Sequence, residues 1–170
     1  HTIAITLILI LGMAVIFLVQ FSTPCLYDAD GYLHIRMAEF LKDFGPRYNF
    51  HWARFSTFNG NFSDKDFLYH VALIPFTFFK DIFLGAKVAA FMSAAALFLG
   101  FYLMLRKYAN RKIIPFMLLG FLFSANFLET INSPRPLTLV ILLNIWIIHL
   151  LIQKNTCGFF SQEYCILLYM

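Results

Sequence analysis

The sequence predicts an all-α protein, a polytopic bundle of transmembrane helices, and three observations carry that expectation. Hydrophobic residues make up 61% of the 170-residue chain and charged residues only 13%, a balance that a soluble domain does not show. Several apolar runs reach or approach the roughly 20 residues that cross a bilayer. Arg106, Lys107, Arg111 and Lys112 gather with no acid among them, whereas residues 25–87 hold seven Lys/Arg against seven Asp/Glu. By the positive-inside rule the basic cluster is cytoplasmic.

Residues 2–22 form the first expected span. A signal peptide has a shorter apolar region and a small-residue cleavage site, so a retained helix is expected. Residues 25–87 then form an external loop with interfacial helices. Leu33, Met37, Phe40, Leu41 and Phe44 recur at helical spacing, as in an amphipathic helix lying on the membrane, and Gly45-Pro46 stops it. The segment 47–62 is loop and carries the sequon Asn61-Phe-Ser63, an acceptor only where the source glycosylates. Ser63-Asp-Lys-Asp66 resembles a capping box. The helix it opens, 67 to about 84, is short, contains His70 and Pro75, and is read as interfacial or re-entrant.

Further spans are expected at 88–105, 113–128 and 137–152, with Pro136 opening the last. The chain starts at His1 and stops inside an apolar run, so a fragment is expected, with 159–170 the start of a truncated span. Cys25, Cys157 and Cys165 have neither ligand spacing nor an even-numbered framework. A nucleic-acid partner is not expected, because no basic, water-facing stripe with interleaved aromatics is present. Glycine-rich phosphate loops, a nucleophile elbow and zinc motifs are absent too.

Chemistry concentrates in Asp28-Ala-Asp30-Gly-Tyr-Leu-His34-Ile-Arg36, directly behind the first span. Carboxylates beside a bilayer are costly without cations, metal or water and therefore mark candidate sites. Chain sense brings Glu129 and Arg135 to the same face as Asp28 and Asp30. Carboxylates from two loops suit a hard cation such as Mg²⁺ or Mn²⁺ bridging to phosphate, and a free carboxylate suits a general base. Arg135 or Arg36 can fork onto phosphate oxygens. His70 on the short helix is a further candidate for a headgroup phosphate.

At these residues the chain resembles the GT-C superfamily of membrane glycosyltransferases, which use polyprenyl-phosphate-linked sugars. Asp30-Gly-Tyr-Leu-His-Ile-Arg36 is similar to the Asp-Pro-Trp-Phe-Asn-Tyr-Arg type of sequence in the first external loop of oligosaccharyltransferase catalytic subunits, with Gly31 where that pattern has Pro. The order of a short helix, a basic-looped hairpin and Ser133-Pro-Arg-Pro136 is similar to the aminoarabinose-transferase and protein O-mannosyltransferase branch. The resemblance implies Asp30 as the principal catalytic residue, with Asp28 and Glu129 assisting. It implies Asp30 and Glu129 as ligands if a metal is used, and a polyprenyl-phosphate-linked sugar as partner in the cell (inner) membrane, with the site on its external or periplasmic face.

Each residue has a plainer alternative. Asp28 or Asp30 can cap the following helix, Glu129 can form a surface ion pair with Arg135, Arg135 can snorkel, and His34 and His70 can belong to interfacial packing. From other functional classes, a transporter or flippase and a non-catalytic assembly subunit remain the rival readings. A transporter places helix breaks and charges near mid-membrane in two matched repeats.

Overall fold

A computed structural model describes residues 2–46, Phe55 and 63–168, with side chains as far as Gln153. Apart from Phe55 and Ser63, the loop 47–62 with its sequon lies outside the described residues, and so do the side chains of Cys157, Cys165 and the segment 159–170. All regular structure among the described residues is helical. The helices are α1 (Thr2–Phe21), α2 (Ala29–Phe44), α3 (Phe67–Leu73) followed by a 3-10 turn (Ile74–Phe78), α4 (Ile82–Tyr108), α5 (Ile114–Phe123), α6 (Ala125–Asn132) and α7 (Pro136–Leu168).

Thr2–Phe21, Ile82–Tyr108 and Pro136–Gln153 are each long and apolar enough to cross a membrane, and the bent pair α5 and α6 makes a fourth if it counts as one span. Their outward faces are apolar as well: Leu18, Phe116 and Leu143 are 64%, 75% and 61% exposed. Apolar surface on this scale is a liability in water and a requirement in lipid. The chain is therefore an all-α, multi-pass membrane protein.

At the centre lies α4, packed against α1, α2, α5, α6 and α7. Its buried positions are mostly small, namely Gly85, Ala86, Ala89, Ala90, Ala94 and Ala95, so neighbouring backbones approach closely. Gly12 of α1 meets the Phe98 ring of α4 where a Cβ would lie 2.4 Å from it. Ile16, Leu97, Phe98, Leu118 and Ile131 fill the core between α1, α4, α5 and α6. A second core of Leu26, Ile35, Ala38, Tyr69, Leu73, Ala86 and Ala89 seats α2 and α3 on the start of α4.

That second core constrains Gly85, where an added Cβ would lie 2.0 Å from the Phe76 carbonyl oxygen. Backbone of the 3-10 turn cannot rotate away as a side chain would. Gly85→Ala is expected to cost about 1–3 kcal/mol through overpacking, read as a lower midpoint in a detergent-melting assay. An unchanged midpoint would show that the turn is not seated here.

Three sequence expectations need correction. Helix α4 begins at Ile82 rather than 88, because Asp81 accepts the Phe83 N–H at 2.9 Å and caps it, and because Lys87 is buried with its ammonium donating to the Thr23 carbonyl. The expected straight span 113–128 breaks at Ser124 and bends by 75°, since α6 is amphipathic, with Glu129 exposed and Ile131 buried. On α2, expected to lie on the membrane, Leu33 and Phe44 are 52% and 60% exposed, and the face turned to the bundle is Gly31, His34, Ile35, Met37 and Ala38. An apolar residue beside lipid has no need of burial, and a histidine with partners tolerates it. Nor does a capping box form at Ser63: Asp64 accepts the Asp66 N–H at 3.0 Å, an Asx-type turn.

Candidate functional site

The loop between α6 and α7 fixes Arg135. Ser133 donates its N–H and its hydroxyl to the Glu129 carbonyl, both at 3.1 Å, and the Arg135 N–H donates to the Ser133 carbonyl at 2.8 Å. Pro136 then starts α7, where its missing N–H costs nothing. Pro134 is buried against Gly31 of α2, whose lack of a side chain lets the loop approach.

This approach sets Arg135 beside the N-terminus of α2. Its Nε donates to Asp28 and its Nη2 lies 3.1 Å from Asp30 Oδ2. Asp28 occupies the N-cap position but makes no capping hydrogen bond; its carboxylate serves Arg135 instead. Burial is the largest single influence and alone would raise the Asp28 carboxyl, but the bond from Arg135, the backbone N–H groups of Asp30 and Ala29 and the Arg135 charge together outweigh it, so the group sits below the ordinary aspartate range. Arg135 is correspondingly raised, first by its bond to Asp28 and further by the charges of Asp30 and Glu129. Glu129 is exposed and acts on Arg135 through space, without a hydrogen bond. The structure thus brings Asp28, Asp30, Glu129 and Arg135 to one end of the bundle.

Arg36 does not join them. Its Nη1 bonds Glu39 at 2.6 Å and its guanidinium lies over the Phe83 ring at 5.4 Å. His70 does not join them either: it is 3% exposed, and both ring nitrogens are engaged. Burial corrects its expected role as an open phosphate contact.

His70 belongs to a group whose pairing sequence reasoning missed. Its Nδ1 lies 2.6 Å from Asp64 Oδ2 and its Nε2 lies 2.9 Å from His34 Nδ1. Tyr69 packs edge-on to His34 at 5.3 Å, and burial raises its hydroxyl pKa. Burial, then His70 and Lys65, lower the His34 pKa, against opposing pulls from Asp66 and Asp30. Asp64 looked like part of a cap, so the available signal was weak: one acid and two histidines on separate elements of one loop.

Three carboxylates face one guanidinium at the exposed cluster, which therefore stays net negative and invites a cation. No group of three His, Cys, Asp or Glu side chains suited to a metal ion gathers among the described residues. The donor set fits a hard divalent ion shared with phosphate, since Mg²⁺ characteristically takes one or two carboxylates and completes its shell with phosphate oxygens and water. Asp30, its side chain 57% exposed, would be the open carboxylate for that purpose, and Glu129 is exposed and near enough for its charge to act on Arg135. No family model, curated protein or solved structure matches this chain.

Proposed function

We propose that the chain is the membrane module of a GT-C-like glycosyltransferase, moving a sugar from a polyprenyl-phosphate donor to an acceptor on the non-cytoplasmic face. One observation carries the reading: Arg135 is held across Asp28 and Asp30, from a different loop, at the bundle end opposite Arg106–Lys112. With that basic end in the cytoplasm, the acidic end is on the external face of the cell (inner) membrane in this reading. Lipid phosphate sits at this level of a bilayer, and a guanidinium already oriented by two acids loses little freedom on meeting it.

In this reading Arg135 binds the phosphate, Asp28 orients Arg135, and Asp30 faces the sugar carbon, where positive charge develops as the phosphate leaves. Asp30 with Glu129 would hold Mg²⁺ or Mn²⁺ if one is used, and such an ion would supply charge neutralisation for a leaving phosphate. The acceptor hydroxyl approaches from the exposed side of Asp30.

The experiment is binding of undecaprenyl phosphate, the product lipid, to the full chain in nanodiscs with Mg²⁺. Arg135→Ala is expected to weaken it about ten- to a hundredfold, the worth of a charge-assisted contact, and EDTA is expected to weaken binding by the wild type. Equal affinity in Arg135→Ala would overturn the reading. One observation favours the transporter as second reading, because the 75° break between α5 and α6 is the kind of discontinuity that transporters use. Undecaprenyl phosphate carried across proteoliposomes without sugar release would select it.

A further inference from the structure

We propose that Asp64, His70 and His34 form a buried proton relay that accepts the proton of the acceptor hydroxyl. The inference rests on the transferase reading and extends it with a base that the exposed cluster lacks. Asp30 is not that base in this reading, because its open carboxylate is already committed to the sugar carbon and the cation.

The relay has a direction. Ionised Asp64 is acceptor-only, so His70 presents Nδ1–H to it and leaves Nε2 as an acceptor. His34 must then donate Nδ1–H to His70 Nε2 at 2.9 Å, which makes the His34 Nε2 lone pair the outer end. Of the four ring nitrogens, His34 Nε2 alone has no partner among the described residues. His34 sits one turn along α2 from Asp30, on the same helical face, and the Asp30 charge reaches it.

The step balances. The acceptor oxygen forms a bond to the sugar carbon, the bond from that carbon to the phosphate oxygen breaks, and its electron pair leaves with the lipid phosphate. The acceptor proton passes to His34 Nε2. The Nδ1 proton of His34 can move on to His70, and that of His70 toward Asp64, so the positive charge is shared with a buried carboxylate. A relay of this kind is a design for taking up a proton without stranding a charge in a dry site.

The charged and titratable groups around His34 are Asp30 on its own helix and Lys65, Asp66, Tyr69 and His70 from the α3 segment. Burial dominates and holds His34 neutral at pH 7. Activity should therefore fall only as pH drops below the ordinary histidine range and His34 takes up a proton from solvent.

The test uses the full chain in nanodiscs with undecaprenyl-phosphate-linked hexoses and pentoses as donors, water as acceptor and free sugar as readout. His34→Gln is expected to slow release about 10²–10⁴-fold and to lose the acid limb of the pH profile. Binding of undecaprenyl phosphate should stay unchanged. Asp64→Asn removes the anion at the far end and should shift that limb to lower pH. If the wild type releases sugar and His34→Gln matches it in rate and acid limb, the relay is overturned while the transferase reading stands. If Arg135→Ala binds undecaprenyl phosphate as the wild type does, it is the transferase reading that fails. Independently, ¹⁵N-histidine NMR should show His34 at pH 7 with a bare Nε2; a protonated Nε2 would overturn the relay without any turnover being measured.

Discussion

Asp30→Asn is expected to abolish sugar release, by at least about 10²-fold, while the protein inserts and melts as the wild type does. The two halves of that result have separate causes. Asp30 has a side chain 57% exposed and touches Arg135 through one nitrogen at 3.1 Å, an exposed pair worth about 0–1 kcal/mol. Asp28, with a side chain 15% exposed, remains to hold Arg135, so the guanidinium keeps its place. What disappears is the negative charge on the open side, which in the proposed function faces the developing positive charge and would take the cation. Asp28→Asn makes the informative contrast, since it should loosen Arg135 and weaken undecaprenyl phosphate binding as well as turnover. The assay is sugar release by both variants in nanodiscs. Undiminished release from Asp30→Asn would remove Asp30 from the chemistry.

Much of this arrangement could be read from residue order. The apolar runs and the basic loop gave the helical bundle and its two ends, and the proline-flanked arginine pointed back to the acids behind the first span. Packing decided what the sequence left obscure. Lys87 looked like loop because an isolated lysine in a span is costly, yet the Thr23 carbonyl satisfies it and α4 starts earlier. Leu33 belongs to the face expected to lie on the membrane and is turned outward, but apolar periodicity gives no sign that His34 beside it turns in. The Asp64 to His70 bond spans the start of a helix, and the His34 to His70 bond joins positions 36 residues apart. Neither has a periodic signature, and both depend on α2 and α3 sharing the core built on Ala86 and Ala89.

Gly31→Ala is expected to disable the site without altering a single charge. A Cβ at position 31 would lie 2.1 Å from Pro134 Cγ and 3.0 Å from its Cδ. Pro134 is fully buried, its ring has no rotamer to retreat into, and it is bonded directly to Arg135. Relief requires α2 to move away from the α6–α7 loop, and that movement draws Asp28 and Asp30 off Arg135 together. Overpacking of this kind costs about 1–3 kcal/mol, and displacement by 1 Å at a reacting centre is enough to cost about 10²-fold in rate. The expected result is therefore a modest fall in the melting midpoint, weakened undecaprenyl phosphate binding and a large loss of sugar release. Pro134→Ala in the same chain removes the Cγ and Cδ atoms that the added methyl would strike, so the double variant should recover binding. Glycine at this position then has a physical reason: the ring of Pro134 takes the space. Unaltered binding and release in Gly31→Ala would mean that α2 and the α6–α7 loop are not held in register here, and that the clamp on Arg135 does not depend on their contact.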